Sequence, residues 1–304
     1  MIRVPSRQSI TSFSNAHQAI AEVDLGEPFL LETYDCYAGQ IDAESVLRPD
    51  IDMADFNRAT GPVKVAGVQA GDWVRIQIEA IDVTSPGVMA VAPGLGILGD
   101  NVEQASTRLV SIENGRAWIS GDIGVPVEPM VGVIGVAPAG APVSTECPGT
   151  HGGNLDTSLL TAGSAFLAQA KHDGCLVAAG DLHAAQGDGE LGGTGIEIGG
   201  QIQLRVDRAR YQGKLPAVCH RDGMSLLASA LDLKDAIAEA FAEAVNLMKI
   251  WHELDWSNAY RLTSIVGRAQ VSQIVNPLAT ARLTIPKEWC PGSLFERLDE
   301  WAMR

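Results

Sequence analysis

The residues best suited to chemistry lie in one stretch of the chain, residues 147–200. Glycine interrupts this stretch repeatedly, which favours loops and tight turns over long regular elements. It contains three histidines, four aspartates and two glutamates: His151, His172, His183, Asp156, Asp173, Asp181, Asp188, Glu190 and Glu197. This density of ionisable side chains predicts a functional site.

Asp181 and His183 form the centre of this stretch. They directly follow the apolar run 175–179, and a short apolar run bounded by glycines is typical of a buried strand. Alternate side chains of a strand share a face, so Asp181 and His183 lie together while Leu182 points away. The pattern therefore places a carboxylate beside an imidazole.

The segment 151–156, HGGNLD, is different in character. Gly152 and Gly153 permit positive φ angles, so a loop or tight turn is favoured there. We expect these glycines, with Asn154, to let the backbone approach a ligand and bind substrate.

Histidine and carboxylate side chains in one cluster either hold a divalent metal or move protons. Zn²⁺ binds nitrogen and carboxylate oxygen at about 2.0–2.2 Å and, in catalytic sites, keeps one position open. Asp181, His183, His151 and Asp156 are the predicted ligands. The alternative is that these residues form turns and satisfy hydrogen bonds within a glycine-rich loop.

Two motifs, HGGNLD at 151–156 and GDLHAAQGDGELGGTGIE at 180–197, resemble the acetamidase/formamidase family. The resemblance extends through 61–72, 133–138 and 260–286. It implies a metal-associated hydrolase of small amides that assembles as a homo-oligomer. The functional positions it implies are Asp35, His151, Asn154, Asp156, Asp181, His183, Glu190 and Glu197. In this resemblance Asp35 is a candidate metal ligand, or a residue that orients the ligands.

Amide hydrolysis needs an activated nucleophile, a polarised carbonyl and a proton for the leaving amine. A metal serves the first two needs, and a carboxylate carries the proton. Glu190, flanked by glycine, is the first choice for this carboxylate, and Glu197 is the second. No GxSxG elbow is present, and the place of Cys175 at the start of an apolar run favours a core cysteine over a nucleophile.

Repeated short alternating segments predict an α+β, β-rich protein with a β-sandwich or barrel-like core. We expect this core to span 1–206 and a C-terminal α+β portion to span 207–304, packed on it. Within the core, 61–83 predicts two half-buried antiparallel strands, 196–206 continues the alternation, and 162–171 is either a short helix or an extended link.

In the C-terminal portion, apolar spacing predicts a helix over 231–251. A second helix is expected from Asn258 to about Arg268 with Ser257 as N-cap, followed by a prolongation or a turn at 271–277. A terminal helix is expected over 291–301.

The 304-residue chain has a net charge of −15 and no run rich in Lys and Arg, which disfavours nucleic acid as a partner. No apolar run approaches the roughly 20 residues needed to span a bilayer, and the polar start lacks a signal-peptide core. We expect a cytoplasmic protein that does not associate with membranes. Five scattered cysteines without a CxxC pair do not form a disulfide framework or a zinc knuckle.

Two alternatives to hydrolysis of formamide or acetamide remain open on sequence. The same site suits a cyclic amide, a lactam. An acidic, glycine-rich loop also suits Ca²⁺ bound in a non-catalytic β-sandwich protein, although His151 and His183 favour Zn²⁺ or another transition metal.

Overall fold

The computed structural model describes residues 1–296 and 298. The strands are β1 (Ile2–Val4), β2 (Ser9–Ile10), β3 (Ser12–Phe13), β4 (Ala21–Asp24), β5 (Pro28–Thr33), β6 (Ala59–Ala66), β7 (Trp73–Val83), β8 (Gly87–Val91), β9 (Ser106–Glu113), β10 (Arg116–Ser120), β11 (Ile123–Pro126), β12 (Met130–Gly135), β13 (Val143–Ser144), β14 (Gly152–Asn154), β15 (Ala165–Gln169), β16 (Val177–His183), β17 (Glu197–Ile198), β18 (Gly200–Arg208), β19 (Ala217–His220), β20 (Gly223–Ala230), β21 (Arg268–Gln273) and β22 (Ala279–Pro286). The α-helices are α1 (Leu233–Trp251) and α2 (Trp256–Val266), and short 3-10 helices lie at Arg48–Asp50, Met53–Asp55, Gly99–Asn101, Lys287–Trp289 and Gly292–Leu294.

Two large sheets make up most of the fold. The nine-stranded sheet has the order β1-β5-β18-β7-β15-β19-β20-β22-β21. The second sheet runs β11-β10-β9-β8-β17-β16-β12-β14, and β6 also pairs with β16, β2 and β4. The predicted β-rich α+β class with a sandwich-like core is confirmed.

The main hydrophobic core lies between the two sheets. Ile76 and Leu204 from the nine-stranded sheet pack in one cluster with Val63, Val131 and Leu182 from the second sheet, and all five are buried. The opposite face of the nine-stranded sheet packs against α1. Burial of apolar side chains on both faces is the main stabilising contribution to this layered arrangement.

Several predicted elements take a different form. The strands β6 and β7 lie in different sheets and are mostly buried, so 61–83 is not a half-buried antiparallel pair. The segment 196–206 divides at Gly199 into β17 and β18, again in different sheets. Residues 162–171 contain the strand β15 rather than a helix, because its side chains pack on both faces of the sheet.

The C-terminal portion agrees more closely with expectation. The helix α1 begins two residues later than the predicted 231–251 and ends where predicted, and the Asp232 side chain caps it. The second helix begins earlier than predicted, since the N-cap is Asp255 rather than Ser257. Residues 271–277 hold the end of β21 and a turn, and the prediction of a terminal helix over 291–301 lies partly outside the described residues.

The predicted boundary between 206 and 207 stays a prediction, although the nine-stranded sheet crosses it, with β19 to β22 continuing its edge. Among the described helices, none is long and apolar enough to cross a membrane.

Candidate functional site

The strand β16 lies inside the second sheet and carries the two central side chains. Its neighbour β17 pairs with it in the register His183 to Glu197, which brings a second carboxylate to the same place. His183 Nε2 lies 3.4 Å from Asp181 Oδ1 and 3.1 Å from Glu197 Oε2. The predicted sharing of a face by Asp181 and His183 is therefore seen in the structure, and all three side chains are buried.

Asp156 and Glu190 reach this centre from loops. Both adopt positive φ angles, 40° for Asp156 and 47° for Glu190, a region that non-glycine residues seldom occupy. A Cβ atom at Gly132 on β12 would lie 2.6 Å from both Asp156 Oδ1 and Asp181 Oδ2. Glycine at this position is therefore needed to make room for the two carboxylates.

These side chains form two groups with possible ligand atoms within 4.8 Å of one another. One group is Asp156, His183 and Glu190, and the other is Cys36, Asp181 and Glu197. Each offers oxygen atoms together with one nitrogen or sulfur donor, a set that suits Zn²⁺ and similar ions. In the described part of the chain, Asp156 Oδ1 is buried without a hydrogen-bond partner, so the donor set fits a cation.

Burial separates the acidities of these groups. Burial raises the pKa of Asp181 to about 8, with repulsion from Glu197 adding to the effect. Burial likewise raises the pKa of Asp156, and it holds the pKa of Glu190 well above its usual range. Burial opposes ionisation of Glu197 too, but His183 and the Thr194 hydroxyl outweigh it and lower its pKa to about 2.

His183 responds in the opposite sense. Burial favours its neutral form, but the charges of Glu197 and Asp181 outweigh this and hold its pKa well above the ordinary value. Pairs of titratable groups driven apart in this way are typical of acid–base sites.

A glutamine and an asparagine hold the centre in place. Gln186 Nε2 donates to the Asp156 carbonyl at 2.7 Å, so Gln186 Oε1 is free to accept from His183 Nδ1 at 2.6 Å. This directs His183 Nε2 at the carboxylates. From the turn after β21, Asn276 Nδ2 donates to Asp156 Oδ2 at 2.6 Å and to the Asn154 carbonyl at 3.1 Å.

Asn154 lines a cavity of about 130 Å³ that reaches this centre. Its side-chain oxygen is buried without a hydrogen-bond partner among the described residues, which leaves it available to a ligand. The cavity is also lined by residues of other segments: Cys36, Tyr37, Arg48, Phe56, Asn57, Leu95, Glu146, Asp181, Glu190, Gly193, Glu197, Val275, Asn276 and Pro277.

The structure does not bring His151 into this group. Its ring packs edge-on against Phe13, with 5.1 Å between ring centroids, and it belongs to neither ligand group. Gly152 and Gly153 face the chain itself, because Cβ atoms there would collide with the carbonyls of Ile134 and Cys147. Their predicted roles as ligand and substrate contacts stay predictions.

Asp35 lies beside the centre and has a structural partner. Its Oδ1 accepts from the Gly39 N–H at 2.9 Å and so caps its own turn. Burial raises the pKa of Asp35, and Glu197 adds to the effect. The next residue, Cys36, is the one that meets Asp181 and Glu197.

Sequence reasoning missed Cys36, Gln186 and Asn276. The spacing of Asp35 and Gly39 is typical of an aspartate-capped turn, which would have pointed to Cys36 as the inward residue. Likewise the Asn276-Pro277 dipeptide marks a turn after a strand. No local signal distinguishes Gln186.

Comparison with known proteins places this geometry in a family. The chain matches the family model described as "Acetamidase/Formamidase family" over residues 8–145 and 140–215. The solved acetamidase of Bacillus halodurans is 38% identical, with a TM-score of 0.92, and the match covers 98% of this chain and 99% of that one. The crystal structure of a protein described as a predicted acetamidase/formamidase from Thermoanaerobacter tengcongensis is 35% identical, with a TM-score of 0.92. That match covers 100% of this chain and 98% of the other.

A curated relative, the acetamidase of Mycolicibacterium smegmatis, is 28% identical over 62% of this chain and 63% of its own length. The chain thus matches less than two thirds of that relative. The resemblance found in the sequence motifs is confirmed. The chain belongs to the Acetamidase/Formamidase family.

Proposed function

We propose that this protein hydrolyses the C–N bond of a small amide of the formamide or acetamide type, releasing ammonia and a carboxylate, with a divalent cation held in the site. One observation carries the proposal. Four buried carboxylates, Asp156, Asp181, Glu190 and Glu197, converge on the single imidazole of His183 at a cavity of about 130 Å³. Uncompensated buried charge is costly, so such a cluster is expected to serve a bound cation and a reaction.

The proposed ligands come from both groups, and His183 Nε2 and Cys36 Sγ supply the nitrogen and sulfur donors. These donors favour Zn²⁺ over Ca²⁺, which prefers an all-oxygen shell. When bound, such an ion lowers the pKa of a water molecule and polarises a carbonyl group. We do not include His151 in the proposed ligand set.

Glu190 is the proposed proton carrier. It lies at the cavity wall, and its raised pKa allows its carboxyl group to hold a proton for the departing nitrogen. Glu197 is less suited to this role, since its Oε1 accepts from Thr194 Oγ1 and the Gly195 N–H, both at 2.9 Å, and its pKa is low. We assign Glu197 to holding His183 and the cation.

Asn154 is proposed to orient the amide. Its buried side-chain oxygen can accept from the substrate NH₂ group, while Asn276 fixes the Asn154 backbone through its carbonyl. Substrate held in this way is presented to the acid and base groups in one orientation, which is a major source of rate enhancement.

The test is ammonia release from formamide and acetamide, and ring opening of 2-pyrrolidinone, by purified protein. Each is measured as isolated, after chelation, and after addition of Zn²⁺ or Ca²⁺. Loss of activity on chelation and its return with Zn²⁺ supports the proposal. Opening of the lactam alone would replace the linear amide with a cyclic one, and activity that survives complete metal removal would refute the cation.

A paired variant separates catalysis from folding. His183→Ala is expected to abolish activity while far-UV circular dichroism remains that of the parent. His17→Ala, at a half-buried histidine whose Nε2 contacts the Ser12 carbonyl, is the matched control and should retain activity. Assembly as a homo-oligomer and a cytoplasmic location stay predictions, and light scattering tests the first.

A further inference from the structure

One cation lies in the wall of the acidic cavity. Arg48, at the start of a 3-10 helix, lines the cavity together with Phe56. The Arg48 Cζ atom lies 5.4 Å from the centroid of the Phe56 ring. The Phe56 ring in turn contacts the buried Tyr37 ring at 6.0 Å. The guanidinium is thus held on an aromatic surface whose position is fixed by the core.

This guanidinium has no carboxylate partner in the part of the chain that the structure describes. Several other arginines do have one, as in the pairs Arg3–Glu32, Arg58–Asp55, Arg108–Glu44, Arg205–Glu79 and Arg282–Asp188. Glu146 lines the same cavity but forms no ion pair with Arg48 among the described residues. The planar face of Arg48 is engaged by an aromatic ring, and its N–H groups remain available.

The charge around the cavity explains why such a group would be useful. Four carboxyl groups, those of Asp181, Glu190, Glu197 and Glu146, line the same space, and Arg48 is the only positively charged side chain among the described residues that line it. Amide hydrolysis creates a carboxylate at this point. A guanidinium presents a fork of N–H donors that matches a carboxylate in a bidentate manner.

We propose that Arg48 forms a carboxylate-binding subsite in the wall of this cavity. The inference rests on the proposed amide hydrolysis. It extends that proposal by naming a carboxylate as a second group, besides the amide, that the site recognises. The carboxylate has two possible sources, the product of a neutral amide or an acid group carried by the substrate itself. At about 130 Å³ the cavity is well below the roughly 300–1,000 Å³ of sites for larger ligands, so either molecule must be small.

Binding is tested first, independently of catalysis. Isothermal titration calorimetry with acetate and with malonamate compares the parent protein with Arg48→Gln and Arg48→Lys. A charge-assisted hydrogen bond contributes about 1.5–3 kcal/mol, so Arg48→Gln should weaken binding by about 10-fold to 100-fold. Arg48→Lys retains the charge without the fork and should lie between the two. Arg58→Gln, at an arginine paired with Asp55 on the same segment, is the control and should bind as the parent does.

Kinetics then separates the two sources. Malonamate and malonamide have nearly the same shape, but only malonamate carries a carboxylate. An Arg48→Gln variant that loses kcat/KM for malonamate about 10-fold or more, and for malonamide less than twofold, identifies an acidic substrate. Weaker inhibition by acetate, with malonamate not hydrolysed by the parent, identifies the product instead.

Two results overturn the subsite: equal binding of both carboxylates by the parent and Arg48→Gln, or no binding by the parent. Failure of the proposed function would give a different result. In that case no amide is hydrolysed by the parent, while the calorimetric comparison still reports whether Arg48 binds a carboxylate.

Discussion

The two sheets differ in the partners of their buried carboxyl groups. In the nine-stranded sheet, Glu79 is buried, but Arg205 Nη2 lies 2.5 Å from its Oε1 and Gln203 Nε2 donates to its Oε2 at 2.5 Å. At the second sheet, four buried carboxyl groups surround one imidazole, His183. The first arrangement pairs one carboxylate with one guanidinium, whereas in the second, burial raises the pKa of Asp156, Asp181 and Glu190.

This difference separates a structural pair from a candidate site. A buried ion pair roughly offsets its own desolvation cost, whereas several buried carboxyl groups around one imidazole cannot all be ionised without a loss of stability. Strained backbone adds to the contrast, because Asp156, Asp181 and Glu190 all have positive φ angles. Strained backbone and buried carboxyl groups with raised pKa values at one place indicate that the fold sacrifices stability there for function.

The largest difference between the two arrangements is expected in kcat when one carboxylate of each is replaced. Glu190→Gln should lower kcat by about 10²-fold to 10⁴-fold, since it removes the proton carrier. Glu79→Gln, the matched change in the structural pair, should leave kcat within about twofold. Ammonia-release kinetics of both variants checks this, and a similar loss of kcat in the two would contradict the division.

The second test measures the free energy of unfolding after the cation of the structural pair is removed. Arg205→Ala leaves Glu79 buried without its cation, and such uncompensated charges cost about 3–5 kcal/mol. Because Arg205 is 24% exposed, we expect the lower end, about 3 kcal/mol, in urea unfolding. The double variant Glu79→Gln with Arg205→Met should recover most of this loss, and no recovery would show that packing rather than charge is responsible.

The central pair of the site was predictable because it depends on local geometry. Asp181 and His183 lie two residues apart on one strand and meet in the structure, although the positive φ of Asp181 departs from regular strand geometry. Glu197 was also within reach, since it opens the next short strand. The helix α1 was equally predictable, because its apolar spacing and its capping Asp232 are contained in one segment.

The remainder depends on contacts between distant segments. Cys36 and Asn276 reach the centre from opposite ends of the chain, and only the packing of the two sheets brings them together. The same packing explains why β6 and β7, adjacent in sequence, do not pair. At Gly152 and Gly153 the sequence indicates a close approach without saying whether a ligand or the chain itself approaches, and in the structure carbonyl groups of the chain lie close to both glycines.

A third test extends the comparison to a buried imidazole outside the carboxylate cluster, that of His151. Burial lowers the pKa of His151 to about 4, against an ordinary value of 6.5. The unfolded chain therefore binds the proton more readily between these values, so stability is fully present above about pH 6.5 and declines as the pH falls to about 4. The difference between the two pKa values corresponds to a change of about 3 kcal/mol in the free energy of unfolding.

The measurement is urea unfolding of the parent, His151→Gln and His17→Gln between pH 4 and pH 7.5. His151→Gln should flatten the acid decline relative to the parent, and His17→Gln should not. An unchanged decline in His151→Gln would assign the acid sensitivity to other groups. Zinc affinity measured on His151→Gln tests the sequence-based prediction that His151 is a ligand, because removal of a ligand should weaken zinc binding.

The smallest expected effect concerns the group that orients the imidazole of the site. Gln186→Ala removes the acceptor for His183 Nδ1 and leaves the carboxylates and the imidazole in place. Partners of this kind typically contribute about 10-fold to 100-fold to metal affinity or activity. We therefore expect a decrease of this size in kcat/KM and in zinc affinity, measured by ammonia release and by competition with a chelator. Gln169→Ala, at a glutamine that donates to the Gly71 carbonyl away from the site, is the control. A normal zinc affinity in Gln186→Ala would mean that the contacts of His183 with Glu197 and Asp181 are enough to hold its imidazole in place.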